Sequence, residues 1–316
     1  MGNHLMSLCS SILRNMESCI LGKQDEIERL LIAVMAGGHV LLEDVPGTGK
    51  TQLVKALARS IGGEFRRIQC NPDLLPTDIT GVSIYHPKQE EFIFRPGPVM
   101  SNVLLADEIN RATTKTQSAL LEAMEEGHVT VDGNTYKLPE PFILLATQNP
   151  IEFEGTYLLP EAQLDRFMMK LSLGYPTEID EYRMILNGGK GHPSDAVEQV
   201  ATMEDIRLIR EQVLEVHMDD AVASYLVQIV RGTREHGGVL IGASPRAAIA
   251  LSKAAKASAY LQERSFVTPD DVKKLAAHVL SHRLLLHTEA RMNGLKPSDI
   301  VASVLERTKV PVRLER

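Results

Sequence analysis

Between Leu41 and Thr51 the chain reads LLEDVPGTGKT. An apolar run, a glycine-bearing turn and a Lys-Thr pair opening an amphipathic segment make a strand–loop–helix unit of the kind that cradles phosphate. No other stretch restricts the fold as much. A strand feeding such a loop is flanked by parallel strands and covered by helices. Gly47 and Gly49 let backbone N–H groups turn inward on phosphates, and the next helix adds its N-terminal dipole. Lys50 would reach the β- and γ-phosphates and Thr51 would offer its hydroxyl to Mg2+. One letter departs from the usual G-x-x-x-x-G-K-[ST] pattern: Asp44 stands where the first glycine is expected.

The surrounding sequence supplies the companion strands. HVLLE (His39 to Glu43), FRRIQC (Phe65 to Cys70), NVLLAD (Asn102 to Asp107), PFILLATQN (Pro141 to Asn149) and FMMKLSL (Phe167 to Leu173) are short runs of the kind expected of strands covered on both faces. Helical spacing fills the intervals, as in TQLVKALARSI and TKTQSALLEAMEEG. The pattern predicts an α/β fold, a parallel five-stranded sheet with helices on both faces. Two interruptions read as projecting hairpins: IYHPKQEEFIF (Ile84 to Phe94), and HVTVDGNTYKL (His128 to Leu138) with its Asp132-Gly133 turn. From Pro176 onward strand runs disappear and long amphipathic segments follow, including PRAAIALSKAAKASAYLQE and TPDDVKKLAAHVLSHRLLLHTEA. The expected division is therefore an αβα core over residues 1–176 and an all-helical domain over 177–316, with LNGGKGHPSD (Leu186 to Asp195) as the flexible connection.

With 316 residues, 44% apolar and 24% charged, the chain can bury a sizeable core, and it carries no run of apolar residues long enough to span a bilayer and no signal sequence. Cys9, Cys19 and Cys70 are too few and too scattered for a metal or disulfide framework, which fits a reducing cytoplasm. A net charge of -7 without a Lys/Arg block disfavours nucleic acid as a partner.

A second chemical element closes the third run. Asp107 and Glu108 follow an apolar strand, the first placed to hold Mg2+ and the second to polarise an attacking water as general base. Asn149, at the end of the next run, could orient water or sense the γ-phosphate, or simply form a turn before Pro150. Arg166 in LPEAQLDRF stands at the boundary between a short helix and a strand, where its plain reading is a surface ion pair with an acid such as Asp165.

In their order, HVLLEDVPGTGKT, DLLPTDITG, LLADEINRA, QSALLEAMEE, VTVDG, ATQNPIEFEGTYLLPEAQLDRF and GASPRA resemble the AAA+ ATPases and, within them, the MoxR group. The resemblance runs almost from end to end. It implies an AAA+ core with two inserted hairpins, followed by a helical lid, and it makes EDVPG a habit of the family. It implies that Val45, Pro46, Gly47, Thr48, Gly49, Lys50, Thr51 and Gln52 hold ATP or ADP, with Ile20, Leu21 and Gly22 bordering adenine. Thr51 and Asp107 become the Mg2+ ligands, Glu108 the base, Asn149 sensor 1, and Arg246 sensor 2 in the lid. Ser244 and Pro245 read as a helix start, so Arg246 would sit in a first turn and aim its fork at the γ-phosphate. Arg166 becomes the arginine finger that reaches a neighbouring subunit's nucleotide, which implies a homo-oligomeric ring, a hexamer as in most relatives. Where relatives read QFTPDLLP this chain reads QCNPDLLP, which leaves open whether Asn71 pairs with Glu108 as a glutamate switch.

The function so implied is Mg2+-dependent ATP hydrolysis coupled to remodelling or activation of a protein client, often a von Willebrand factor A domain protein or a metal-enzyme complex in this family. The hairpin tips, Pro87 to Glu91 and Asp132 to Asn134, are the expected contacts. A nucleic-acid motor is the alternative. Lys88, Glu90, Glu91 and Asp132 at the tips and the absence of Trp give that alternative poor stacking and no clear phosphate contacts. A nucleotide-gated binding module that barely hydrolyses ATP is the third reading, against which Glu108, Asn149 and Arg166 all speak. His278 and His282 stand one turn apart, but no third metal ligand accompanies them.

Overall fold

The computed structural model describes residues 2–150, 155–187, 194 and 197–311. Residues 151–154 of the ATQNP string and most of the expected connection after Leu186 lie outside the described residues. The chain opens with two helices, α1 (Gly2–Cys19) and α2 (Gln24–Met35), before β1 (Val40–Glu43) enters the sheet. There follow α3 (Lys50–Ser60), β2 (Phe65–Gln69), α4 (Pro76–Thr80), β3 (Gly81–His86), β4 (Glu91–Pro96), β5 (Val103–Asp107), α5 (Thr114–Glu126), β6 (His128–Val131), β7 (Asn134–Lys137), β8 (Ile143–Gln148), α6 (Glu161–Leu164) and β9 (Met169–Leu171).

The main sheet is five-stranded and parallel in the order β2-β5-β8-β1-β9. The apolar residues of β1, β5 and β8 are buried on both faces, which is why these runs are continuous rather than alternating. β2 is different. It is an edge strand, and Arg66, Arg67 and Gln69 are exposed along it, so the expectation of two covered faces fails there. Register sets Gln69 beside Asp107 and Glu43 beside Gln148, so the carboxyl ends of these strands meet in one place. In open α/β sheets ligands bind at such ends.

Both hairpins form. β3 pairs with β4, and β6 with β7 through a turn in which Asp132 and Gly133 both have positive φ, the backbone that an Asp-Gly hairpin turn requires. Phe94 stacks on Tyr136 at 3.9 Å between ring centroids, joining one hairpin to the other. Near the tip of the first, Tyr85 meets Phe92 edge to face at 5.4 Å, and Phe92 is 73% exposed. The expectation that this tip offers little aromatic surface is therefore corrected.

Beyond the sheet come α7 (Glu178–Asn187), α8 (Met203–Glu215), α9 (Asp220–Glu235), β10 (Val239–Ile241), α10 (Pro245–Leu261), α11 (Pro269–Leu280), β11 (Leu285–Leu286), α12 (Thr288–Met292) and α13 (Pro297–Arg307). The lid is helical apart from the short antiparallel pair β10–β11. The segment expected to run as one helix through Ala290 breaks after Leu280 into a 3-10 turn. Its cause is long-range. His282 Nε2 and Arg283 Nη2 donate to the Phe167 carbonyl, at 3.0 and 2.8 Å, which pulls the chain onto the start of β9. One apolar core runs from α1 and α2 through a sheet face to α8–α11 and α13, across the expected 176/177 division.

Candidate functional site

The loop from Pro46 to Gln52 lies at the carboxyl end of β1. With Asp107, Glu108 and Asn149 it lines one cleft of about 420 Å³. Gly47 and Gly49 take φ of 85° and 89°, and a Cβ built on either would meet nothing within 4 Å. Glycine is thus required there by the left-handed backbone rather than by crowding. Lys50 Nζ donates to the carbonyls of Asp44 and Val45, both at 3.0 Å, so its ammonium is held at the mouth of the loop.

Asp44 has a structural task. It is 5% exposed, and its carboxylate accepts from Ser172 Oγ at 2.9 Å and from the backbone N–H groups of Leu173 and Gly174 at 2.5 and 3.0 Å. A carboxylate satisfied by several donors can be buried without an ion-pair partner. The residue that breaks the usual pattern ties the root of the phosphate loop to the chain leaving β9.

Asp107 and Glu108 are held by neighbours that sequence reasoning missed. Thr147 Oγ1 donates to Asp107 Oδ1 at 2.5 Å and accepts from the Glu108 N–H at 2.8 Å. Arg67 Nη2 pairs with Asp107 Oδ2 at 2.6 Å. Gln69 Nε2 donates to Glu108 Oε2 at 2.9 Å, and Arg111 approaches the same oxygen at 3.2 Å. Asn71 instead accepts from the Asp73 N–H, so the polar partner of Glu108 is Gln69. Glu108 itself sits at φ 55°, a left-handed conformation that costs a non-glycine residue roughly 1–2 kcal/mol and turns its side chain off the strand line. Beneath these acids, burial and then the Asp107 and Glu108 charges push the Cys70 thiol up to about 12, so it stays protonated.

Ile20, Leu21, Gly22 and Val45 do not line the cleft. The first three form the turn between α1 and α2, which packs on the root of α7: a Cβ on Gly22 would fall 2.0 Å from Asp180 Oδ2, and Lys23 Nζ donates to the Tyr175 carbonyl at 2.9 Å. Arg166 and Arg246 are elsewhere too. Arg166 Nε pairs with Glu125 Oε2 at 3.1 Å and Arg246 Nη2 with Glu125 Oε1 at 2.5 Å. Asp165 pairs with Arg283 instead, at 2.9 Å, and accepts from Ser244 Oγ. Ser244 does cap α10, so Arg246 occupies its first turn as expected, but its fork points at Glu125 and not into the chain's own cleft.

Residues 39–169 match the profile of the ATPase family associated with various cellular activities, and residues 231–304 that of the AAA lid domain. The chain is 52% identical to the uncharacterised Bacillus subtilis protein YeaC over 98% of its own length and 97% of that protein's. It is 42% identical to the chaperone MoxR1 of Mycobacterium tuberculosis, with 92% of this chain and 79% of MoxR1 covered. The chain belongs to the MoxR family of AAA+ ATPases. A crystal structure of a candidate ATPase from Cytophaga hutchinsonii superposes with a TM-score of 0.90 at 39% identity, covering 98% of this chain and 97% of that one. For a MoxR-type chain the sheet order, the lid and the cleft are the shared frame, on which the contacts of Asp44, Gln69 and Glu125 are laid.

Proposed function

We propose that this chain is a Mg2+-dependent ATP hydrolase that works as a homo-oligomeric ring, of six subunits as the family resemblance suggests, and uses turnover to remodel or activate a protein client. The observation that carries the reading is the convergence of Lys50, Thr51, Asp107, Glu108 and Asn149 on one cleft while Arg166 and Arg246 stand together outside it. A hydroxyl and a carboxylate, from Thr51 and Asp107, are the hard oxygen donors that Mg2+ prefers. These two residues would hold the ion, which would supply positive charge against the charge developing on the phosphates. Loop N–H groups and Lys50 bind the phosphates, Glu108 takes a proton from the attacking water, and Asn149 orients that water. Gln69 holds Glu108 through Oε2 until the water competes for it.

The arginines complete a neighbour's cleft in this reading. Arg246 joins Arg166 in that role, a change from its expected action on its own nucleotide. The two hairpins, with the exposed Tyr85–Phe92 pair, are the surface offered to a client, for which a von Willebrand factor A domain protein or a metal-enzyme complex is the family precedent. Among the described residues no helix is long and apolar enough to cross a membrane, and a cytoplasmic site of action fits the three buried cysteines.

The test is ATP turnover per chain against protein concentration, with oligomer mass followed in the same samples with and without ATP. The rate should climb as rings assemble. A flat rate for a monomer would leave the nucleotide-gated binding module as the better reading.

A further inference from the structure

The helix α7 is exposed almost all round. From residue 178 to 186 only Asp180 is buried, while Ile179, Tyr182, Ile185 and Leu186 are 65%, 63%, 76% and 66% exposed. Their spacing puts Ile179, Tyr182 and Leu186 along one stripe, with Ile185 beside it. Scattered apolar side chains on a surface need no explanation, but a contiguous stripe on one helix marks a contact. Glu178 and Glu181, also exposed, make the same helix acidic at its start. The root of α7 is anchored at the nucleotide cleft: Asp44 grips residues 173 and 174, and Gly22 and Lys23 pack against Asp180 and Tyr175.

The lid carries a surface of opposite character. Leu214, Val227 and Ile249 are 54%, 47% and 60% exposed around an apolar groove of about 390 Å³ between α8, α9 and α10, with Lys253 and Lys256 at its rim. Lys256 Nζ reaches the Leu214 carbonyl at 2.7 Å, and Lys253 is exposed. On α10 the residues Arg246, Ile249, Lys253 and Lys256 follow one another at three and four positions and share a face. The groove is therefore continuous with the arginine face.

We propose that α7 of one subunit docks in the α8–α9–α10 groove of the next copy of this chain. The inference rests on the ring reading, and geometry supplies the link. If Arg246 reaches a neighbour's nucleotide, then Ile249 and Lys253 further along the same helix face reach what borders that nucleotide, and α7 is rooted there. Apolar stripe meets apolar groove, and Glu178 and Glu181 meet Lys253. Assembly then senses the cleft directly, because the docking helix is tied through residues 172–174 to the phosphate loop.

The experiment uses the full chain carrying Glu108→Gln, held with Mg2+ and ATP. One pool also carries Ile185→Cys and the other Ile249→Cys, with the parent's buried Cys9, Cys19 and Cys70 as the background control. Oxidation of the mixed pools should give a cross-linked dimer that neither pool gives alone. In parallel, Lys253→Glu should weaken assembly about tenfold through like-charge contact, and adding Glu178→Lys with Glu181→Lys should restore it. Assemblies that form with no mixed cross-link and no charge rescue would overturn the docking while leaving the ring intact. A cross-link inside single chains carrying both cysteines would overturn it by showing that α7 closes on its own lid. A chain that stays monomeric with ATP removes the ring and this contact together.

Discussion

The cleft and the arginine face are built on opposite plans. In the cleft, groups from β1, β2, β5 and β8 converge at the carboxyl ends of neighbouring strands, and each polar group is held by another: Thr147 on Asp107, Gln69 on Glu108, the loop carbonyls on Lys50. At the arginine face, one guanidinium from the core and one from the lid share a single carboxylate, Glu125, between segments far apart in sequence. The first gathers the groups that the proposed hydrolysis needs. The second pairs with that acid among the described residues. On the proposed ring reading, the difference means that each chain carries halves of two different sites.

The largest effect should come from separating the halves. Arg166→Ala is expected to slow turnover about a thousandfold while nucleotide binding persists, as for fingers that act across an interface. Glu108→Gln should slow turnover by about a hundredfold or more and still bind ATP, since it removes the base and not the phosphate cradle. Mixing the two variants should recover activity at interfaces that pair a whole cleft with a whole arginine face; no recovery at any ratio would place both halves in one chain. Asp44→Ala strands the N–H groups of residues 173 and 174 in a buried position and should cost about 2–4 kcal/mol in urea unfolding. Gln69→Ala should change turnover without client by a few-fold and Asn71→Ala should not, since Gln69 donates to Glu108 while Asn71 accepts from the Asp73 N–H; a few-fold change is about 1 kcal/mol of barrier.

The last effect shows only in acid and concerns the pin between lid and sheet. His282 is buried, and burial and then the Arg283 charge lower its pKa from 6.5 to about 3, so it is neutral in the folded chain. The unfolded chain binds a proton there near 6.5. Stability from this group is therefore complete above that pH and declines as pH falls toward 3. His282→Gln should flatten the acid side of the stability profile by about 1.4 kcal/mol per pH unit between those limits.

Much of the scaffold was legible in the residues. Strands buried on both faces must be short continuous apolar runs, and VLLE, VLLAD and ILLATQ are such runs at the positions where the sheet forms. The Asp-Gly turn and the Ser-Pro helix start were local signals with local causes, and both hold. The first helix was readable in principle from Leu5, Cys9, Ile12 and Met16 on one face, though not its seat against α3. What could not be read depends on contacts between distant segments. β11 is too short to leave a pattern, and the break after Leu280 is made by Phe167. Arg246 carries no mark in its neighbours that Glu125 will claim it. Gln69 was more accessible: it closes β2 beside Asp107, and the last residue of each strand in such a sheet is a place to look for site chemistry.

Glu125 has one more consequence, for what the chain ignores. Two bare guanidiniums side by side would attract any polyanion that drifts past, because clustered positive charge raises the local concentration of phosphate groups. With one carboxylate between them the pair presents about half that charge, Arg246 hydrogen-bonded to one of its oxygens and Arg166 ion-paired with the other. A visiting phosphate must displace Glu125 as well as arrive. On the proposed ring reading, only one held by its own cradle in the neighbouring chain would do both, so the acid would act as a threshold that screens out casual anions and admits a seated nucleotide.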